Sequence, residues 1–191
     1  TFGTCKELSE PGQHFLPHHG VRKHKIGKMR VVFDSSAQTG GGLSLNDRLF
    51  IGPKLQLELH AVLTAFREGE IAFTSDVVAM FSRIRLKPED AKLHRYLWPN
   101  PENSSILQVY EMQRLTFGDG PSPCLAIAVT RRAAEDFGDN KPLGREIIAR
   151  AMYMDDTAAS KPRVNEAVEA SKQVIDILRH ADFEFDSWTS N

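Results

Sequence analysis

Two short apolar runs that close on acid constrain this chain more than any other feature: "IAFTSD", Ile71 to Asp76, and the center of "RAMYMDDTAAS", where Asp155 and Asp156 follow Met152 to Met154. Each reads as a buried strand ending in carboxylate. Taken alone, "YMDDTA" is a hairpin whose tip carries two aspartates, since Asp is a favored turn residue. A second acid in a similar setting changes this. If the two strands are neighbors in one sheet, Asp76, Asp155 and Asp156 converge at one edge.

The rest of the chain supplies strands and helices without regular βα alternation, which predicts an α+β fold rather than a doubly wound one. Residues 1–29, with Pro11, Gly12, Pro17 and Gly20 among polar neighbors, read as an extended arm. "RVVFD", Arg30 to Asp34, is strand-like, and "SSAQTGGG" is a loop. The spacing Leu55, Leu59, Val62, Leu63, Phe66 predicts a helix from Leu55 that stops near Gly69. "RIRL", Arg83 to Leu86, reads as a strand before Pro88. "HRYLW" and "ILQVYEMQ" read as a strand pair across the turn cluster "PNPENSS". Helices are predicted from Pro123, over "PLGREIIARA", and over "KPRVNEAVEASKQVIDILRHA", the last with Val164, Val168, Ile175 and Leu178 on one side.

At 191 residues the expectation is one folded unit spanning 1–191. A hydrophobic content of 41% and a charged content of 26% exclude fibrous and disordered classes. No run approaches the roughly 20 apolar residues that cross a bilayer, and no signal-peptide pattern opens the chain. A soluble, intracellular, cytoplasmic protein without a membrane partner is therefore expected. Cys5 and Cys124 have no metal-type spacing and read as free thiols. The net charge of -1 conceals a basic stretch, "VRKHKIGKMR". The chain starts without Met and stops at "SWTSN", which suggests a piece of something larger.

Converging carboxylates repel, and shared desolvation raises their pKa values unless a positive charge sits among them. Oxygen donors with no His or Cys nearby suit magnesium or manganese rather than zinc. Two such ions about 4 Å apart activate an attacking hydroxyl and stabilize the leaving oxygen of an in-line phosphoryl displacement. The acids thus permit nucleotidyl transfer.

"KMRVVFDSSAQTGGGLSLND", "FTSDVVAMFSRIRLKPEDAKLHRYLW", "LTFGDGPSPCLA" and "YMDDT" occur in the order and rough spacing of one known family. The chain resembles the reverse transcriptase domain of Bel/Pao-type LTR retrotransposon polyproteins over nearly its whole length. The resemblance implies a fingers and palm fold, with an antiparallel palm sheet packed on helices and no thumb. It implies Asp76 and Asp155 as main ligands of two Mg2+ ions, Mn2+ being the alternative, with Asp156 beside them. Tyr153 and Met154 would lie under the primer terminus. Phe81 matches the ring beneath the incoming sugar, its alternative being a core phenylalanine. Arg30, helped by Lys28 or Lys25, would grip the triphosphate, a task suited to a guanidinium that donates two parallel hydrogen bonds. Gly118 and Gly120 in "FGDGPSP" would let backbone approach the nucleotide.

The implied partners are an RNA or DNA template-primer, a dNTP and the remaining Pol segments: thumb, RNase H and integrase, within virus-like particles. The chain departs from this pattern at three places. Phe117 stands where relatives often carry Gln, Asp119 is unexpected beside phosphates, and Asp186 and Ser187 replace an expected Arg and Lys. The lost lysine removes a candidate proton donor to pyrophosphate. Competing readings are a catalytically silent nucleic-acid-binding remnant, an RNA-dependent RNA polymerase, and an aspartic peptidase, whose glycine is missing after "DSS" and "DSW". The histidines read as structural or surface residues.

Overall fold

Burial alternates along "IAFTSD": Phe73 and Ser75 are buried while Thr74 and Asp76 are exposed. That period of two is what a strand with one covered face requires. The computed structural model describes residues 5–8, 14–22, 29–38 and 40–191, the first of these segments by its backbone alone. In chain order the elements are β1 (Cys5–Leu8), β2 (His18–Arg22), β3 (Met29–Phe33), α1 (Leu59–Ala65), β4 (Ile71–Asp76), α2 (Met80–Arg83), α3 (Pro88–Ala91), β5 (Arg95–Pro99), β6 (Leu107–Met112), α4 (Ser122–Phe137), α5 (Pro142–Arg150), β7 (Met152–Tyr153), β8 (Asp156–Lys161), α6 (Val164–Arg179) and β9 (Thr189–Ser190). Strands pair antiparallel throughout, and the mixed α and β content follows the sequence expectation.

The chain divides into two compact units. The first holds the described residues up to Ile51 together with Phe81–Ser122. In it β6 is flanked by β1 and β5, and β2 pairs antiparallel with β3. Leu16, Phe33, Leu45 and Tyr96 form its core, with Leu49, Tyr110 and Met112 packed against them. Arg95 donates to Glu111 across the β5–β6 pair at 3.0 Å, both side chains largely buried.

The second unit holds Gly52–Met80 and Pro123–Asn191. Its sheet runs β7-β8-β4-β9, with α1, α5 and α6 packed against its strands. Helix α6 covers the sheet with Ala167, Ala170, Val174, Ile177 and Leu178, while Phe73, Val77 and Phe183 are buried in the same unit. No described helix is long and apolar enough to cross a membrane.

Four local readings need correction. The arm is not wholly irregular, because its described residues include β1 and β2. Helix α1 starts at Leu59 rather than Leu55. The Arg131 guanidinium donates to the Leu55 carbonyl at 2.8 Å, which engages that oxygen outside any helix. "RIRL" is not a strand: α2 ends at Arg83, Leu86 N–H donates to Gln113, and Arg85 makes one isolated bridge to Arg114. On α6 Leu178 is buried as expected, but Val164 is 62% and Val168 46% exposed, the buried face being completed by Ala167, Ala170, Val174 and Ile177.

Candidate active site

The acids belong to the second unit. Antiparallel pairing sets Asp76 of β4 directly opposite Asp156 of β8, so both side chains stand on the face not covered by α6. Tyr153 pairs with Asp156 in turn, which makes Met154 and Asp155 the two-residue tip of the β7–β8 hairpin. Asp155 is tied to β4 as well, because its carbonyl accepts from Val77 N–H at 2.8 Å. Five of the expected site residues, Asp76, Tyr153, Met154, Asp155 and Asp156, are thereby gathered at one end of one sheet.

The tip is strained. Met154 has φ of +58°, and a positive φ at the first tip residue alone is the type II′ pattern that normally takes glycine. Among the described residues the other non-glycine positive φ values are at Ala79 and Asp182, each a few positions from an acid of this region. Such backbone costs about 1–3 kcal/mol per residue and persists where the surroundings over-determine it, characteristically at functional sites.

Electrostatics at this end are unbalanced. Burial raises the Asp76 carboxyl above its usual value, and the charges of Asp155, Asp156 and Asp186 push it further the same way. Asp156 is raised by burial and then by Asp155. Asp186 reaches this end because its N–H donates to the Asp76 carbonyl at 2.9 Å and its own carbonyl accepts from Ser75 Oγ at 3.2 Å. Among the described residues no three His, Cys, Asp or Glu side chains are drawn together tightly enough to enclose an ion. The donors still suit a hard divalent cation: they are carboxylates alone, on adjoining strands, and the influences on Asp76 all act against its charge.

Arg30, Phe81 and Gly118 belong to the first unit. Arg30 is exposed on β3, and Lys28 lies outside the described residues. Phe81 is 9% exposed and packs edge-to-face on Phe117 with ring centroids 4.7 Å apart. Gly118 has φ of +103°, and a Cβ there would sit 2.6 Å from the Phe33 carbonyl oxygen. Gly118→Ala is expected to cost about 2 kcal/mol or more, because strain and collision add; urea denaturation measures it.

Neither protein-family models nor curated proteins match the sequence. Solved structures do. The chain aligns with the protease-reverse transcriptase dRH of a foamy virus in complex with double-stranded DNA at a TM-score of 0.72 and 21% identity, over 96% of this chain and 28% of that one. Native prototype foamy virus protease-reverse transcriptase aligns at 0.71 and 20%, and its CSH mutant at 0.72 and 21%, each over 96% of this chain and 21% of the other. The fold is reverse transcriptase-like. The chain spans about a quarter of the length of these proteins, and identities this low speak to fold alone.

In this reverse transcriptase-like chain, Asp119 has a role its sequence position conceals. It is 4% exposed and accepts three hydrogen bonds: from Ser35 Oγ, from Thr116 Oγ1 at 2.6 Å and from His94 Nε2 at 2.8 Å. His94 Nδ1 lies 3.0 Å from the Asp90 carbonyl. Both ring nitrogens therefore face acceptors, an arrangement that favors the doubly protonated imidazolium. Burial opposes that charge, yet the bonds to Asp119 and Asp90 prevail and raise the His94 pKa. Burial likewise works against the Asp119 carboxylate, and its three donors hold it below the usual value. No motif announces this pair. The available hint was a carboxylate between two glycines just before a helix, where a phosphate site would not place an acid.

Proposed function

We propose that the chain is the fingers and palm part of an RNA-directed DNA polymerase from a Bel/Pao-type retroelement, adding dNTPs to a primer 3′-hydroxyl. The observation that carries this reading is the pairing of Asp76 with Asp156, with Asp155 at the adjoining hairpin tip, inside a reverse transcriptase-like fold. Asp76, Asp155 and Asp156 would hold Mg2+ or Mn2+, which when bound neutralizes phosphate charge and lowers the pKa of the attacking hydroxyl. The residues supply alignment. Arg30 presents an exposed guanidinium for the triphosphate, Phe81 an apolar wall for the sugar, and Tyr153 and Met154 a fixed tip for the primer end. Most of the rate would come from this positioning.

The partners are a template-primer duplex, read by shape rather than sequence, a dNTP, and the other segments of a Pol polyprotein. A foamy virus protein of this fold is complexed with double-stranded DNA, which supports the duplex as ligand. Single-nucleotide extension with Mg2+ tests the reading. Incorporation of dNTP in preference to rNTP is expected, and extension with rNTP alone would point to the RNA polymerase class instead.

A catalytically silent, nucleic-acid-binding reading has one specific observation in its favor. Asp186 stands where a base was expected and adds a further negative charge against Asp76. Duplex binding without extension by the parent chain would select it.

A further inference from the structure

A cavity of about 420 Å³ opens between α4 and α5 in the second unit and shares no residue with the acid site. Each wall is one helical face at spacings of three and four: Arg131, Ala134 and Glu135 from α4, and Arg145, Ile148 and Ala149 from α5. Ala134 and Ile148 are buried and form an apolar floor, while the charge is carried by the half-buried Arg131 and the exposed Glu135 and Arg145. That charge is poorly matched within the protein. Arg131 donates to the Leu55 carbonyl at 2.8 Å, which holds its guanidinium in place without neutralizing it. Among the described residues no carboxylate lies within ion-pair distance of Arg131, Glu135 included although it is one turn along the same helix. Arg145 reaches the exposed Asp139 carboxylate only at 3.4 Å. The neighboring Arg132, outside the cavity, is paired with Asp136 at 2.8 Å.

A fixed, half-buried guanidinium without a counter-charge costs stability, and an oxyanion entering the cavity would supply that charge. Carboxylate and phosphate both fit a guanidinium fork. Glu135 discriminates between them. Its carboxylate has no hydrogen-bond partner among the described residues, so it repels a bare dianion and accepts from a ligand that brings an N–H beside its anion. We infer that the α4–α5 cavity binds the carboxylate end of an amino acid or peptide. The carboxylate meets Arg131 and Arg145, the adjacent N–H meets Glu135, and an apolar side chain rests on Ala134, Ile148 and Ala149. The volume lies within the roughly 300–1,000 Å³ of small-ligand sites. Two sources present this chemistry: a free amino acid, whose amine is charged, and the C-terminus of a peptide, whose N–H is neutral.

Nuclear magnetic resonance titration of the full chain, followed at the Ile148 methyl groups, tests the site. The probes are L-leucine, acetyl-Gly-Gly-Leu with a free C-terminus, the same peptide as its C-terminal amide, and inorganic phosphate. Saturable shifts with L-leucine or the free-acid peptide are expected, and the amide should bind about 10- to 150-fold more weakly than the free acid, the range of hydrogen bonds to a charged group. Arg145→Ala should weaken the carboxylate probes by a similar factor. Because that side chain is exposed, the variant should melt with the parent, which separates lost binding from lost fold. Glu135→Gln distinguishes the sources: it should weaken L-leucine, whose ammonium loses its counter-charge, more than the peptide, whose N–H keeps an acceptor. Absence of saturable shifts with both carboxylate probes, equal binding of acid and amide peptides, phosphate binding as tight as carboxylate, or unchanged binding in Arg145→Ala would each overturn the assignment.

Discussion

Asp155→Asn is expected to abolish single-nucleotide extension, with a loss on the order of 10³-fold or more, the scale of removing one charge-stabilizing group from a phosphoryl transfer. Asp155 occupies the tip between Tyr153 and Asp156, and its carbonyl is bound by Val77 next to Asp76. Asn keeps the shape and those backbone bonds. Only the charge is lost, so duplex binding and melting temperature should stay close to the parent's. The contrast between a large rate effect and a small stability effect is the informative part. Rapid-quench measurement of the first added nucleotide checks it, and equal rates for parent and Asp155→Asn would remove Asp155 from the chemistry.

Asp119→Ala has the largest expected effect on stability, a loss of about 3–5 kcal/mol, because it leaves the buried Ser35, Thr116 and His94 donors without their shared acceptor. The side chains are 5% and 1% exposed, so water cannot substitute for the lost partner. The pair also sets a pH window. His94 is raised in the folded protein, so its contribution is complete below its ordinary value of 6.5 and disappears as the pH climbs through the higher folded value. Asp119 is lowered, so its contribution is present above 3.8 and disappears as the pH falls through the lower folded value. Chemical denaturation across pH should show a plateau between these limits, with an alkaline decline that His94→Gln flattens. An unchanged alkaline limb in His94→Gln would contradict the ion pair.

The strands that carry the acids were legible because their chemistry is local. "IAFTSD" alternates inward and outward and ends in an exposed acid, and "YMDDTA" is a hairpin as read, although its tip is Met154–Asp155 and not the two aspartates, Asp156 being the first residue of β8. The sequence placed the acids at one edge only on condition that the strands were neighbors; the register that sets Asp76 opposite Asp156 comes from the structure. What escaped was set by distant partners. Leu55 lies outside α1, its carbonyl accepting from Arg131, a partner 76 positions away. On α6 Ala167 and Ala170 are buried while Val164 and Val168 near the helix start stay exposed, a choice set by which face meets the sheet and not by side-chain size. The His94–Asp119 pair joins positions that no periodicity relates. Asp186, noted as a departure from the family, gained meaning through its backbone bond to Asp76. Of the expected nucleotide contacts, Lys28 lies outside the described residues, and Arg30, Phe81 and Gly118 sit in the other unit from the acids.

Divalent-ion binding by the acids is the most direct test. Mn2+ is titrated into the chain bound to a primer-template with a dideoxy-terminated primer, and free Mn2+ is followed by electron paramagnetic resonance. Loss of the free-ion signal in the parent, sharply weakened in both Asp76→Asn and Asp155→Asn, is the expected result. A parent that leaves the signal untouched, or variants that bind Mn2+ as tightly as it does, would contradict the assignment of these carboxylates to a shared metal site.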